Sequence, residues 1–273
     1  MSHPLEMILV GTVLGFLSGL FGVGGSAVAT PVLRLLGISP FIALATPLPV
    51  ALPTAVAGGY VYWKEGQVSS RIALQTALGG VPGVILGALF TEVVPGRALM
   101  AMTAIFVLGV GIRIMIGLPA AEKGAPSKKL SFIVTLFIGF IVGVFSGLLA
   151  NGGGFLLVPA YLLLFKMQPK RAAATSLVAV AFLALPGTIV HAHLGHIDWI
   201  LALWLTIGVL PFTWLGAKLA LRLSVSSARN LFGVFMITFG LFFLIRTLLR
   251  VQDYGWLGNK QSTIEFRKGH PKK

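Results

Sequence analysis

Long apolar stretches separated by short charged steps run through almost the whole chain. Residues 7–33 carry no charge, and neither do 35–63, 72–91, 130–165, 172–192 and 199–217. Two more stretches, 98–112 and 230–245, are closed by Arg113 and Arg246, whose long side chains reach headgroups from a helix end. A spanning helix needs about 20 mostly apolar residues, so this pattern predicts a series of membrane helices. The start of the chain shows no basic n-region and no small-residue cleavage site. Residue 7 onward therefore reads as a first membrane segment rather than a signal peptide.

Composition sharpens the pattern. Of 273 residues, 56% are hydrophobic and only 10% charged, which excludes an ordinary soluble enzyme, a disordered chain and a collagen. A formal charge of +14 would point to nucleic acid in a soluble protein, but here the 21 Lys and Arg punctuate apolar runs as topology charges do. The expected partners are the lipid bilayer and a small anion, with no nucleic acid; a homo-oligomer is compatible with the sequence. The absence of Cys excludes a disulfide framework, a thiolate metal site and a sulfur relay. No Ser–His, paired-Asp or HExxH constellation is present, so no enzyme is predicted, and neither a cofactor nor a metal.

The chain repeats itself at an offset of 128 to 129 residues. Gly15-Phe-Leu-Ser18-Gly19-Leu20 matches Gly143-Val-Phe-Ser146-Gly147-Leu148, Gly24-Gly25 falls on Gly152-Gly153, and Pro31 on Pro159. After one inserted residue the register continues through Pro40/Pro169, Thr46/Thr175, Gly58/Gly187, Gly66/Gly195, Gly79/Gly208, Pro82/Pro211 and Gly87/Gly216. Residues 1–118 and 130–250 read as two homologous halves, 119–129 as a linker and 251–273 as a polar tail.

The Gly-rich runs Gly22-Val23-Gly24-Gly25-Ser26 and Asn151-Gly152-Gly153-Gly154 lie inside apolar stretches. Each glycine costs a helix roughly 1 kcal/mol against alanine, so both runs predict a broken or re-entrant helix. Unwound backbone at membrane depth must face protein or a cavity, and matched breaks in two halves point to a transporter's midplane site. Close helix packing is the plainer reading of such glycines. Where a helix restarts, its first N–H groups are unpaired and its dipole is positive. Segments 26–36 and 155–165 would be half-helices forming an anion site without Lys or Arg. The expected substrate-binding residues are Gly24, Gly25, Ser26, Thr46, Asn151, Gly152, Gly153, Gly154 and Thr175.

The paired signature G-x-x-S-G-L-x-x-x-G-G, each copy followed by a proline six residues later, resembles the sulfite-exporter family of the TauE/SafE type. The likeness covers roughly residues 7–250 and includes the Ala-Thr pairs at 45–46 and 174–175. It implies a multi-pass inner-membrane permease with two related halves that moves sulfur-containing anions such as sulfite or sulfonates. Ser26 departs from the second copy, which has Gly154. The lack of Cys separates the chain from related thiosulfate importers that pass substrate along cysteines.

Two topologies fit. If each Gly-rich run crosses the membrane, there are eight spans and the halves are parallel. If each turns back, each half crosses three times and the halves are inverted. The second arrangement puts 12 loop Lys and Arg on one side against Arg34 and Arg97, whereas eight spans split the same residues 6 to 8. The positive-inside rule therefore favours an inverted, all-α polytopic protein, although its basic tail then lies outside. His191, His193 and His196 cluster near Asp198 at a span end. An H-x-H spacing sets two imidazoles about 200° apart on a helix, poor for joint chelation; the cluster reads either as a plain interfacial loop or, given the titration range of imidazole, with His191 and His193 as gating or proton-sensitive residues. Tyr60, Tyr62, Trp63 and Trp199 read as an interfacial belt, with Tyr62 and Trp199 as contributors to seals. An anion channel and a non-transporting assembly protein are the competing functions.

Overall fold

The computed structural model describes residues 4–24, 26–91, 93–117 and 130–249. Among these residues all regular structure is helical, as a lipid environment demands of a chain that must satisfy its own backbone. The helices are α1 (Pro4–Phe21), α2 (Ser26–Leu35), α3 (Pro40–Ala45), α4 (Pro47–Lys64), α5 (Ser70–Phe90), α6 (Gly96–Gly117), α7 (Phe132–Leu148), α8 (Gly154–Leu163), α9 (Pro169–His193), α10 (Trp199–Arg222) and α11 (Val225–Leu249). Six of the described helices are long and apolar enough to cross a bilayer. α2 and α8, at ten residues each, are not. The linker at 119–129, the tail at 251–273 and Gly25 lie outside the described residues.

Several helix starts carry their own local signals. Pro40, Pro47 and Pro169 sit in the first turns of α3, α4 and α9, where a missing N–H costs nothing. Asp198 caps α10, its Oδ1 accepting from Ile200 N and Leu201 N at 3.0 Å. Large side chains such as Leu74, Leu78 and Leu89 on α5, or Leu203 on α10, point outward, where lipid covers them.

Glycine decides which helices meet. A Cβ on Gly11, Gly15 or Gly19 of α1 would run into the carbonyls of Leu205, Val209 and Thr213 on α10. On α7, Gly139, Gly143 and Gly147 face the carbonyls of Thr76, Gly80 and Val84 on α5 in the same way. Both pairs therefore touch backbone to backbone, the approach that small residues allow in membranes.

The order of these contacts also fixes direction. Numbers rise together in α1 with α10 and in α7 with α5, so each pair is parallel. α4 and α9 run antiparallel, since Gly58 meets Leu177 while Gly187 meets Leu48. α4 runs with α10, joined at their starts by Asp198 N donating to Thr46 Oγ1 at 3.0 Å and later by Gly58 against Thr213. α5 runs with α9, joined at their starts by Ser69 N donating to Thr175 Oγ1 at 3.1 Å. Thus α1, α4 and α10 point one way, and α5, α7 and α9 point the other.

Candidate functional site

Both Gly-rich runs end a helix and reverse the chain. After α1, Gly22 (φ 74°) and Gly24 (φ 76°) adopt left-handed backbone, and Gly22 N donates back to Ser18 O at 2.7 Å. After α7, Ala150 (φ 44°), Gly152 (φ 66°) and Gly153 (φ 84°) do the same, with Asn151 N donating to Ser146 O at 3.1 Å. The alternation of left-handed residues matches across the two breaks, a conformation that favours glycine at 22, 24 and 152 and that Ala150 adopts against its preference. Asn151 Oδ1 accepts from Gly153 N at 3.1 Å and fixes the second break just ahead of α8.

The two breaks meet each other. A Cβ on Gly154 would stand 2.7 Å from the carbonyl carbon of Val23, so backbone packs directly on backbone. Ser176, buried on α9, places its hydroxyl 2.9 Å from Gly22 O and 3.3 Å from Gly154 O and joins one break to the other. Val180, one turn further along α9, packs against both Gly24 and Gly154.

From this junction the half-helices leave in opposite directions. α2 packs Val28, Ala29 and Leu33 among Met7, Leu201 and Leu205, at the start of α1 and α10. α8 packs Phe155, Leu157 and Tyr161 in the cluster that holds Phe21, Tyr62, Ala217 and Ala220, at the ends of α1, α4 and α10. Each half-helix thus starts at the junction, where an N-terminal dipole favours negative charge. The basic groups nearby in sequence are used elsewhere. Arg34 Nη1 donates to Ile38 O at 2.6 Å beyond the far end of α2, and Lys170 Nζ donates to Leu221 O at 2.6 Å where α9 begins.

The sequence-derived residues divide into groups. Gly24, Asn151, Gly152, Gly153 and Gly154 form the junction, and Ser26 opens α2. Thr46 and Thr175 do not converge there; their hydroxyls accept amides at opposite ends of the bundle and pin the starts of α10 and α5. A small, mostly apolar cavity lies to one side, lined by Leu20, Phe21, Val158, Leu162 and Phe232 together with Lys170. Ser176 escaped sequence reasoning because its register partner is Pro47, so no paired signal marked it.

Two further contacts hold the ends of the broken helices. Tyr62 is fully buried rather than part of the exposed belt of Tyr60, Trp63 and Trp199, and its OH donates to Gly19 O at 2.8 Å. Its register partner His191 places Nε2 3.2 Å from Gly147 O. A carbonyl only accepts, so Nε2 carries the proton, and the bare Nδ1 accepts from His196 Nδ1, 3.2 Å away. His196 also stacks on Phe41, with ring centroids 4.8 Å apart. His193 is exposed and takes no part in the pair. Burial lowers the pKa of His196, which lies in the turn between α9 and α10. No group of three His, Cys, Asp or Glu comes together among the described residues.

Comparison with known proteins agrees with this architecture. The chain is 30% identical over 244 residues to a probable membrane transporter protein of Xylella fastidiosa strain 9a5c, covering 87% of this chain and 93% of that one. It is 28% identical over 237 residues to the probable membrane transporter protein YunE of Bacillus subtilis, covering 78% and 85%. A third relative, the probable membrane transporter protein YjnA of Bacillus subtilis, is 29% identical over 232 residues, covering 81% and 91%. The profile of the sulfite exporter TauE/SafE family matches residues 7–243, and the chain belongs to that family of multi-pass membrane transporters.

Proposed function

We propose that the protein is an inner-membrane secondary transporter for a small anion, a sulfur oxyanion or organosulfur anion such as sulfite or a sulfonate. The carrying observation is the junction itself: two half-helices that start back to back at Val23 and Gly154 and leave in opposite directions. Amides and dipoles at both starts recognise the anion, and no basic side chain is required.

The two halves are inverted repeats that rock about this site. Helix directions support the inversion, since the register partners α1/α7, α4/α9 and α5/α10 each run opposite ways. Lys64, Arg71, Lys166, Lys170, Arg171, Lys218 and Arg222 then share one face, which the positive-inside rule makes cytoplasmic. Tyr62 holds the cytoplasmic gate and His191 the opposite one, so proton sensitivity belongs to the outer gate. Thr46 and Thr175 act by pinning helix starts as the halves move.

Purified protein in liposomes tests the function. Saturable sulfite or methanesulfonate flux with counterflow supports a carrier. Linear, non-saturating conductance would make it a channel, and no flux of either anion would remove the assigned substrate class.

A further inference from the structure

We propose that Ser18 and Ser146 are substrate-binding residues, one hydroxyl donor from each half, and that the ligand is therefore a polyatomic oxyanion. The inference rests on the anion-transport reading above. Both serines hold the same place in the repeated motif, one helical turn ahead of the left-handed residues Gly22 and Ala150. Ser18 is 0% exposed and Ser146 1%, and neither hydroxyl meets a partner among the described residues.

That state is unusual in a helix. A buried hydroxyl there ordinarily turns back onto the carbonyl four residues earlier, as Thr54, Thr188 and Thr213 do in this protein. An unpaired buried hydroxyl is a cost that a fold keeps when a ligand satisfies it.

Ser146 is aimed at the start of α8. Its Oγ lies 3.2 Å from the point that a Cβ on Gly153 would occupy, so any side chain at 153 would cover it. The neighbouring amides of Gly154 and Phe155, at the first positions of this ten-residue helix, find no acceptor among the described residues. The amide of Gly153 is already taken by Asn151 Oδ1. One hydroxyl and two amides at this break are thus donors without a described acceptor.

Four of the carbonyls at the breaks already accept hydrogen bonds. Ser146 O receives Asn151 N, Gly147 O receives His191, and Gly22 O and Gly154 O share the Ser176 hydroxyl. The unpartnered Ser18 and Ser146 hydroxyls can donate to an anion. Donors on two separate half-sites select one with several oxygens, which can accept from both, over a single-centre halide. Leu183 now closes the spot, its Cδ1 2.8 Å from the same Gly153 position, so entry requires the Leu183 side chain to swing aside.

The test uses the full-length protein with sulfite and methanesulfonate as probes, comparing Ser18→Ala and Ser146→Ala with wild type. Each variant is expected to raise KM for sulfite about 10- to 100-fold, the weight of a hydrogen bond to a charged group. Its melting temperature should hold or rise, because no native hydrogen bond is lost. Wild-type KM for both probes in both variants would overturn the inference, as would a lowered melting temperature with KM unchanged. If those variants behave as wild type while Gly154→Ala abolishes flux, only the serine assignment falls. If wild type itself moves neither probe, the anion site falls and this inference with it.

Discussion

Gly154→Ala is a one-carbon test of the junction. The new methyl would stand 2.7 Å from both the carbonyl carbon and oxygen of Val23 and 2.9 Å from Val180 Cγ2, where ordinary contact begins at 3.4 Å. Val180 can swing aside, but Val23 offers only backbone. The two breaks must then part by about 0.7 Å, an overpacking that costs about 1–3 kcal/mol. Alanine in the first turn of α8 returns up to about 1 kcal/mol of helix propensity, leaving a net loss of about 0–3 kcal/mol. The effect on transport should be far larger than the effect on stability, because the anion-facing amides of α8 move with the displaced backbone. Gly109→Ala is the matched control: nothing lies within 4 Å of its Cβ position, and only the propensity gain remains. Thermal denaturation in detergent and sulfite counterflow in liposomes read the two effects separately. A Gly154→Ala protein that melts like Gly109→Ala and transports at the wild-type rate would refute the close junction.

Three other outcomes are expected. Lys166 is exposed with φ 53°, at the register position of Gly37 (φ 84°), so Lys166→Gly should raise stability by about 0.5–1 kcal/mol in thermal melts. His196 is held neutral by burial below its ordinary pKa of 6.5, so its contribution is full above that value and is lost as pH falls. Melting temperature should therefore drop between about pH 7 and 5, and the slope should flatten in His196→Gln. Leu48 and Leu177 are 2% and 0% exposed across the α4–α9 contact, so cysteines placed there should resist labelling at rest and become reactive from opposite faces during turnover. Equal reactivity from both faces at all times would mean an open pore.

Much of the architecture was legible because glycine serves two constraints at once. The matched runs at 22–26 and 151–154 mark breaks, and a break in lipid must be buried in protein, so their meeting could be anticipated. The glycines at 11, 15 and 19 and at 139, 143 and 147 carry no such message alone, since their partners on α10 and α5 are carbonyls, which every residue has. Tyr62 was hidden by its neighbours: Tyr60 and Trp63 are exposed at 52% and 63%, and only helix rotation sends the residue between them inward. The His191–His196 pair was hidden by a turn. Gly195 (φ 71°) folds the chain back so that residues five apart share a hydrogen bond, while the nearer His193 faces away.

If the protein is the carrier proposed above, equivalent positions doing unequal chemistry would let its two halves respond differently to acid. Tyr62 and His191 both tie the last turn of a broken helix to the end of a long one, through Gly19 O and Gly147 O. Behind them the backbone repeats as well, Gln67 N donating to Tyr62 O and His196 N to His191 O, at 3.1 and 3.0 Å. The mechanical part is thus the same at both gates. The chemical part is not, because acidification adds no proton to a phenol and can add one to an imidazole. Protonating His191 puts a proton on its Nδ1 and sets two N–H groups face to face across 3.2 Å, which breaks the shared hydrogen bond, whereas a proton added to His196 goes to Nε2 and leaves that bond in place. On the gating role proposed above, acid acts on the turn behind the His191 contact and leaves the Tyr62 contact unchanged. In the inverted arrangement proposed above that side is the outer one, so a proton gradient would bias which gate opens.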